Sequence, residues 1–276
     1  DELRPLLEKK FRGWKAGDVP QKNIADVAHR SESTIYLVDR PGSEQSIIFG
    51  GHIAPPKNND SEIAIEAMNE VLGGSFASRV NMNLREDKHW AYGAGSVLFD
   101  AQGQRPFLVY APVQTDKTSE SMAEIYREVS QIRGDRPPTA DEVARAKDKN
   151  TLTLAGRWET ANAVAGSLEE MVRFDLPDNY WDEYPDMVRS LSDEQISGAA
   201  KDVIQPDSMI WVVVGDRDEI EGKIGELGYG DIVLMDADGN VYVTGSFQER
   251  FNFCEEDLVS AGDLEVFVVA FTPEGA

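Results

Sequence analysis

The apolar residues change period several times along this chain. Leu3, Leu6, Leu7 and Phe11 recur at helical spacing up to Gly13. Residues 16–32 carry Gly, Pro and mixed polar residues without a period and read as a linker. TIYLVD (34–39) and QSIIFGGHI (45–53) are rich in strand formers and flank the Arg40-Pro41-Gly42 turn, which predicts a hairpin or two neighbouring strands. Asn59 and Glu62 stand at capping-box spacing before a stripe of Ala64, Ala67, Met68, Val71 and Leu72, and Gly73-Gly74 stops that helix. Ser75 is a candidate cap for a second helix through Leu84.

Two strands are predicted next, at 90–99 and 105–113, joined at 100–103. A helix over 119–133 follows, with Met122, Ile125, Val129 and Ile132 on one face. Thr139 and Glu142 form a capping box, and the helix they open is expected to run, with a kink, past Gly156 towards Phe174. Ser192 and Gln195 repeat the box before Ile196, Ala199, Ala200 and Val203. MIWVVV (209–214) is a continuous apolar run and predicts a buried central strand. A short helix at 220–227 and a strand at 232–235 close the order β-β-α-α-β-β-α-α-α-β-α-β. Strand pairs separated by helices argue for an α+β fold: a mixed, mostly antiparallel sheet with helices on one face, a two-layer sandwich.

Composition narrows the partners. Fifty acidic residues against 27 basic give a formal charge of −23. That excludes nucleic acid, which needs a basic surface. It suits a solubilising surface or a field that attracts cationic peptides. No stretch approaches the roughly 18 uncharged apolar residues of a membrane span, so no membrane insertion is expected. The first residues, DELRPLLEKKFRGW, lack the apolar core of a secretory signal, and their helical start reads as internal to a longer protein. Cys254 is the one cysteine, which excludes an internal disulfide and a cysteine-based zinc site.

The histidines are three: His29, His52 and His89. A hydrolytic zinc site on a helix takes H-E-x-x-H or H-x-x-E-H. His29 has Glu32 three positions on, but Ser33 where the second histidine belongs. His52 precedes Ala54-Pro55-Pro56, and His89 has Tyr92 at the third position. Neither motif is present, and a site assembled from all three scattered histidines is the remaining route to metal. Gly93-Ala94-Gly95-Ser96 is a mis-phased fragment of G-x-S-x-G, without the elbow that serine nucleophiles need.

The segment VLGGSFASRVNMNLREDKHWAYGAGS (71–96) resembles the signature of the second half of insulinase–pitrilysin–mitochondrial processing peptidase family enzymes. There an L-G-G-x-F-x-S-R-L stretch leads into L-R-E-x-K-G-x-x-Y. PGSEQSIIFGGH, PTADEVARAKD, RWETANAVAGSLEEM, LPDNYWDEYPDMV and IWVVVGDRDEIEGKIGELGYGDIVLMDADG recur in the family's order, so the resemblance covers residues 1–243. It implies two homologous α+β halves, on one chain or two, closing around a peptide. Zinc would sit in the partner catalytic half, and this non-catalytic half would reach across with an arginine and a tyrosine, here Arg85 and Tyr92. Such residues are donors for the negative charge that hydrolysis develops on a carbonyl oxygen. Asn81 and Asn83 either contact the peptide or lie on a solvated face, and Arg79 reads as structural. His89 replaces the family's glycine, a strained choice if that position has positive φ. Bacterial relatives are often extracytoplasmic.

The resemblance also divides the chain. Residues 1–15 look like the closing helix of a preceding catalytic half, 16–32 a linker, 33–243 the non-catalytic domain and 244–276 an appended β-rich tail. The tail resembles one repeat of bacterial β-propellers; one such blade cannot bury its own faces. It reads as a truncated fusion or as a hairpin against the main sheet.

Overall fold

A computed structural model describes residues 3–15, 17–18 and 25–235, together with the backbone of four strands between 241 and 271. Cys254 lies outside the described residues. Six strands make one sheet: β1 (Thr34–Asp39), β2 (Gln45–Ala54), β3 (Gly95–Leu98), β4 (Arg105–Gln114), β5 (Ile210–Gly215) and β6 (Asp231–Met235). Their order is β3-β4-β2-β5-β1-β6. The pairs from β3 to β5 are antiparallel, and β5, β1 and β6 run parallel. The sheet is therefore mixed and mostly antiparallel, as the pattern predicts.

The expected hairpin between the first two strands does not form. β5 inserts between β1 and β2, pairing with both. Its apolar sequence fits that central place, yet its burial alternates: Trp211 and Val213 are buried and Ile210, Val212 and Val214 are half-buried. Among the described residues, helices cover one face of the sheet. On that face α2 (Glu62–Asn69), α4 (Thr118–Gln131), α9 (Asp193–Val203) and α10 (Arg217–Gly225) pack Met68, Ile125, Val129, Ile196, Ala200 and Ile224 against Ile35, Ile48, Val109 and Trp211. The opposite face presents Ile47, Phe49 and Tyr110, each exposed, beside Val212.

Several boundaries depart from the sequence reading for local reasons. Asn59 does not cap α2 through a box; its carbonyl oxygen Oδ1 accepts from the Ser61 N–H (2.9 Å), and Glu62 turns inward to Arg105. The helix ends in a wide π-type turn, Glu70–Gly74. Ser75 opens no helix; its hydroxyl donates to Glu70 O (3.1 Å), and α3 begins four residues later at Arg79 after the extended Ser78. The Thr139–Glu142 and Ser192–Gln195 capping boxes both form. The long helix after Thr139 breaks into α5 (Ala140–Leu152), α6 (Leu154–Arg157) and α7 (Ala161–Phe174), because Thr160 caps a fresh helix by accepting from the Ala163 N–H. A helix not expected from the pattern, α8 (Tyr180–Ser190), stacks Tyr180, Tyr184 and Val188 at i, i+4 and i+8 despite Pro185 inside it.

A buried ionic cluster joins this helical part to the sheet. Lys57 Nζ lies 2.7 Å from Glu66, 3.5 Å from Asp100 and 3.6 Å from Glu62, and Arg105 is buried against Glu62 and Asp100. The Tyr184 hydroxyl donates to Glu66 (3.0 Å). Burial alone would lower the Lys57 pKa, but the carboxylates around it, Glu66 foremost, hold it above the ordinary lysine value.

The N-terminal helix α1 (Leu3–Phe11) leaves Leu3, Leu6, Leu7 and Phe11 exposed. In the tail, β7 (Val241–Phe247) pairs antiparallel with β10 (Glu265–Phe271), and β8 (Arg250–Phe253) with β9 (Glu256–Val259). Among the described residues no helix is long and apolar enough to cross a membrane.

Candidate functional site

The segment 73–95 is built by close backbone approach. A Cβ on Gly73 would lie 2.3 Å from the Ser96 N atom, and one on Gly95 would lie 2.8 Å from Gly73 O. The two glycines therefore seat the end of α2 directly on β3; stopping the helix is only part of their role. Arg79 then anchors the next helix. Its guanidinium is buried, donates to both Glu142 oxygens (2.7 and 2.6 Å), and donates to the carbonyls of Arg136 and Pro137. Arg79 is structural, as its expected role has it.

After α3 (Arg79–Asn81) the helix widens into a second π-type turn, Met82–Asp87, closed by the Lys88 N–H donating to Asn83 O (3.0 Å). Such turns displace side chains from the regular helical positions. His89 follows with φ 58°, the left-handed conformation that glycine adopts freely. Its Nδ1 lies 3.0 Å from Arg85 O, so the ring, with its proton on Nδ1, satisfies one of the last helix carbonyls. The chain then reverses. The Trp90 and Ala91 N–H groups donate to Leu84 O, and the Gln114 N–H donates to Trp90 O, tying the turn to β4. The expected strand from Trp90 is shorter than its sequence suggests: only Ala91 bridges to Val113 before β3 begins at Gly95.

This reversal brings Arg85 and Tyr92 together. The Arg85 guanidinium carbon lies 5.3 Å from the Tyr92 ring centroid and 4.6 Å from that of Phe76. Two aromatic faces thus hold one cation, each contact worth about 0.5–1 kcal/mol at an exposed site. Tyr92 is 87% exposed, and its hydroxyl has no partner among the described residues. The arrangement offers a guanidinium and a phenol as donors, side by side at the β3 edge of the sheet. Phe76 received no role from sequence reasoning, although it stands in the L-G-G-x-F stretch beside it.

Asn81 and Asn83 are turned inward, which corrects the solvated-face reading. Asn81 donates to Phe76 O (2.7 Å) and accepts from the Ala94 N–H (3.1 Å). Asn83 donates to Glu124 (2.7 Å) and Glu128 (2.9 Å). Their amides brace the segments around Arg85 and Tyr92.

The three histidines do not assemble. His52 is buried in β2. Its Nδ1–H donates to Ile53 O (2.9 Å) and its Nε2 accepts from the Gln205 N–H (3.1 Å), so no lone pair remains for a metal. Burial lowers its pKa to about 4 and keeps the ring neutral. His29 is exposed with its ring 6.3 Å from that of His52, whereas His89 is committed to Arg85 O. Among the described residues no three histidine, cysteine or carboxylate side chains are grouped to hold a metal ion. The described residues do not fit a zinc site.

A family model described as "Peptidase M16 inactive domain" matches residues 1–150. Comparison with curated proteins gives no match. Solved structures share the fold. The peptidase M16 inactive domain from Pseudomonas fluorescens is 23% identical with a TM-score of 0.64, covering 71% of this chain and 46% of that one. A protease from Helicobacter pylori is 17% identical with a TM-score of 0.68, covering 77% and 52%. A putative zinc protease from Bordetella pertussis is 13% identical with a TM-score of 0.52, covering 61% and 93%. The chain spans about half the length of the first two. With the family model matching more than half of the sequence, the chain belongs to the peptidase M16 inactive domain family, the non-catalytic half of a peptidase.

Proposed function

We propose that this domain closes the substrate chamber of a zinc-dependent endopeptidase and supplies Arg85 and Tyr92 to the scissile peptide. The observation that carries this is the Arg85 guanidinium stacked near both Phe76 and Tyr92, with the Tyr92 side chain open to solvent. Peptide hydrolysis develops negative charge on the carbonyl oxygen, and preorganised donors aimed there lower the barrier. Arg85 and Tyr92 donate to that oxygen or to the neighbouring substrate backbone. An extended peptide adds along the β3 edge of the sheet. Zinc is held by a partner catalytic half, in the same parent protein or in another subunit. The apolar face opposite the helices supports such a partner, because Ile47, Phe49 and Tyr110 lie open on it. The exposed stripe of α1 supports its reading as the closing helix of that half, with 16–32 as linker, 33–243 as the domain and 244–276 as an appended tail.

The same apolar face supports a second reading, a scaffold subunit that binds no peptide. Titrating a labelled peptide into the chain separates the two, since a scaffold shows no saturable binding. The chamber reading is tested in the enzyme reconstituted with its zinc-bearing half. Arg85→Ala is expected to lower kcat/KM by about 10²–10³, the effect of removing one oxyanion donor. Turnover unchanged in both Arg85→Ala and Tyr92→Phe removes the pair from the mechanism.

A further inference from the structure

Beside Arg85, on the other flank of its helix, a cavity of about 400 Å³ opens between the turn Met82–Asp87, α4 and α5. Five cationic side chains line it, Arg79, Lys88, Arg127, Arg136 and Arg145, against three lining carboxylates, Asp87, Glu128 and Glu142, and a fourth, Glu124, that pairs with Arg127 and Lys88. A local cationic excess on a chain of charge −23 is not what a uniformly solubilising surface produces. The cations are also held in place. Arg136 is 2.9 Å from the buried Glu128, and Arg127 is 2.5 Å from Glu124. Lys88 lies over the Trp90 ring at 5.4 Å. Arg79 is consumed by Glu142 and two carbonyls. Arg145 is exposed on the same wall with no carboxylate partner of its own among the described residues.

A guanidinium has five donors, and one carboxylate takes at most two of them. Arg127 and Arg136 are each nearly half exposed even though Arg127 also lies 3.6 Å from Glu128 and Arg136 donates twice to it, so each keeps solvent-accessible guanidinium surface. Arginines fixed from behind by carboxylates, with free donors in front, form a preorganised site for a planar anion. The volume exceeds that of one small ion and accommodates an acidic side chain with its neighbours.

We infer that this cavity is an anion pocket that anchors carboxylate side chains of a bound peptide, with Arg145 as its uncommitted donor. The inference rests on the peptide-binding reading above and adds a substrate preference to it. The overall negative field opposes an acidic ligand at long range, but the Debye length of about 8 Å at 0.15 M salt confines the contest to the pocket.

The test is fluorescence anisotropy on the full chain at that ionic strength. Two labelled peptides are compared, one carrying three consecutive glutamates and its twin with glutamines. The acidic peptide is expected to bind about tenfold more tightly, the equivalent of one charge-assisted hydrogen bond. Arg145→Glu should abolish the preference, and Arg145→Lys should keep part of it. Arg145 is exposed, so these variants are expected to fold, and circular dichroism checks that they do. Millimolar inorganic phosphate should displace the acidic peptide, because both use the same donors. Equal affinity for the twins, or a preference that survives Arg145→Glu, overturns the pocket while leaving Arg85 and Tyr92 untouched. Phosphate binding without any peptide preference also overturns it, as a site for small ions only. If neither peptide binds, the peptide-binding reading falls with it.

Discussion

His89 concentrates the tension in this site. It holds a left-handed conformation that a side chain disfavours, yet its ring satisfies the Arg85 carbonyl. The two effects oppose each other, and the exposed hydrogen bond is the weaker. His89→Gly is therefore expected to stabilise the domain by about 0.5–1 kcal/mol, and His89→Ala to destabilise it by a similar amount. Urea denaturation of the three proteins checks the order. A second prediction concerns Arg79 and Glu142. Burial raises the Glu142 pKa, but the Arg79 guanidinium and the Thr139 N–H outweigh it and hold the pKa at about 2. The folded value lies below the ordinary 4.5, so the pair's contribution is complete above pH 4.5 and lost as pH falls towards 2. Glu142→Gln should remove that acid limb of a stability-versus-pH curve. At neutral pH it should cost about 3 kcal/mol, by leaving a buried guanidinium unpaired. Among residues, the sequence made Arg85, Tyr92 and Arg79 legible through one motif. The inward turn of Asn81 and Asn83 was not legible, because it depends on Phe76 O, Ala94 N and two α4 carboxylates that only the tertiary fold brings near.

At the scale of elements, local chemistry that closes within a few residues was readable, and pairing was not. Both capping boxes formed where their spacing placed them. The hairpin did not, since nothing in 34–54 reveals that β5, some 160 residues on, separates the two strands. Pro185 concealed α8, whose Tyr180, Tyr184 and Val188 stripe was visible but interrupted. Gly73 carries an element-scale prediction. A methyl there meets the Ser96 backbone, and neither β3 nor the π-type turn can yield without breaking the seat between them. Gly73→Ala should cost about 1–3 kcal/mol in urea unfolding and reduce peptide binding, because Phe76 and Tyr92 flank that seat.

For the whole molecule, the pattern of burial says more than the elements do. The run MIWVVV predicted a buried central strand, and the structure buries one face of it fully. That difference is a property of the isolated domain: the sequence carries apolar residues for a face that nothing among the described residues covers fully. The chain belongs to the inactive-domain family and spans about half the length of the first solved structures that share its fold. The account stands or falls on hydrolysis of a quenched fluorescent peptide by the chain alone, and by the chain mixed with its zinc-bearing half. It predicts cleavage only in the mixture, reduced about 10²–10³-fold by Arg85→Ala. Chelator-sensitive cleavage by the chain alone, or a mixture indifferent to Arg85→Ala and Tyr92→Phe, would contradict it.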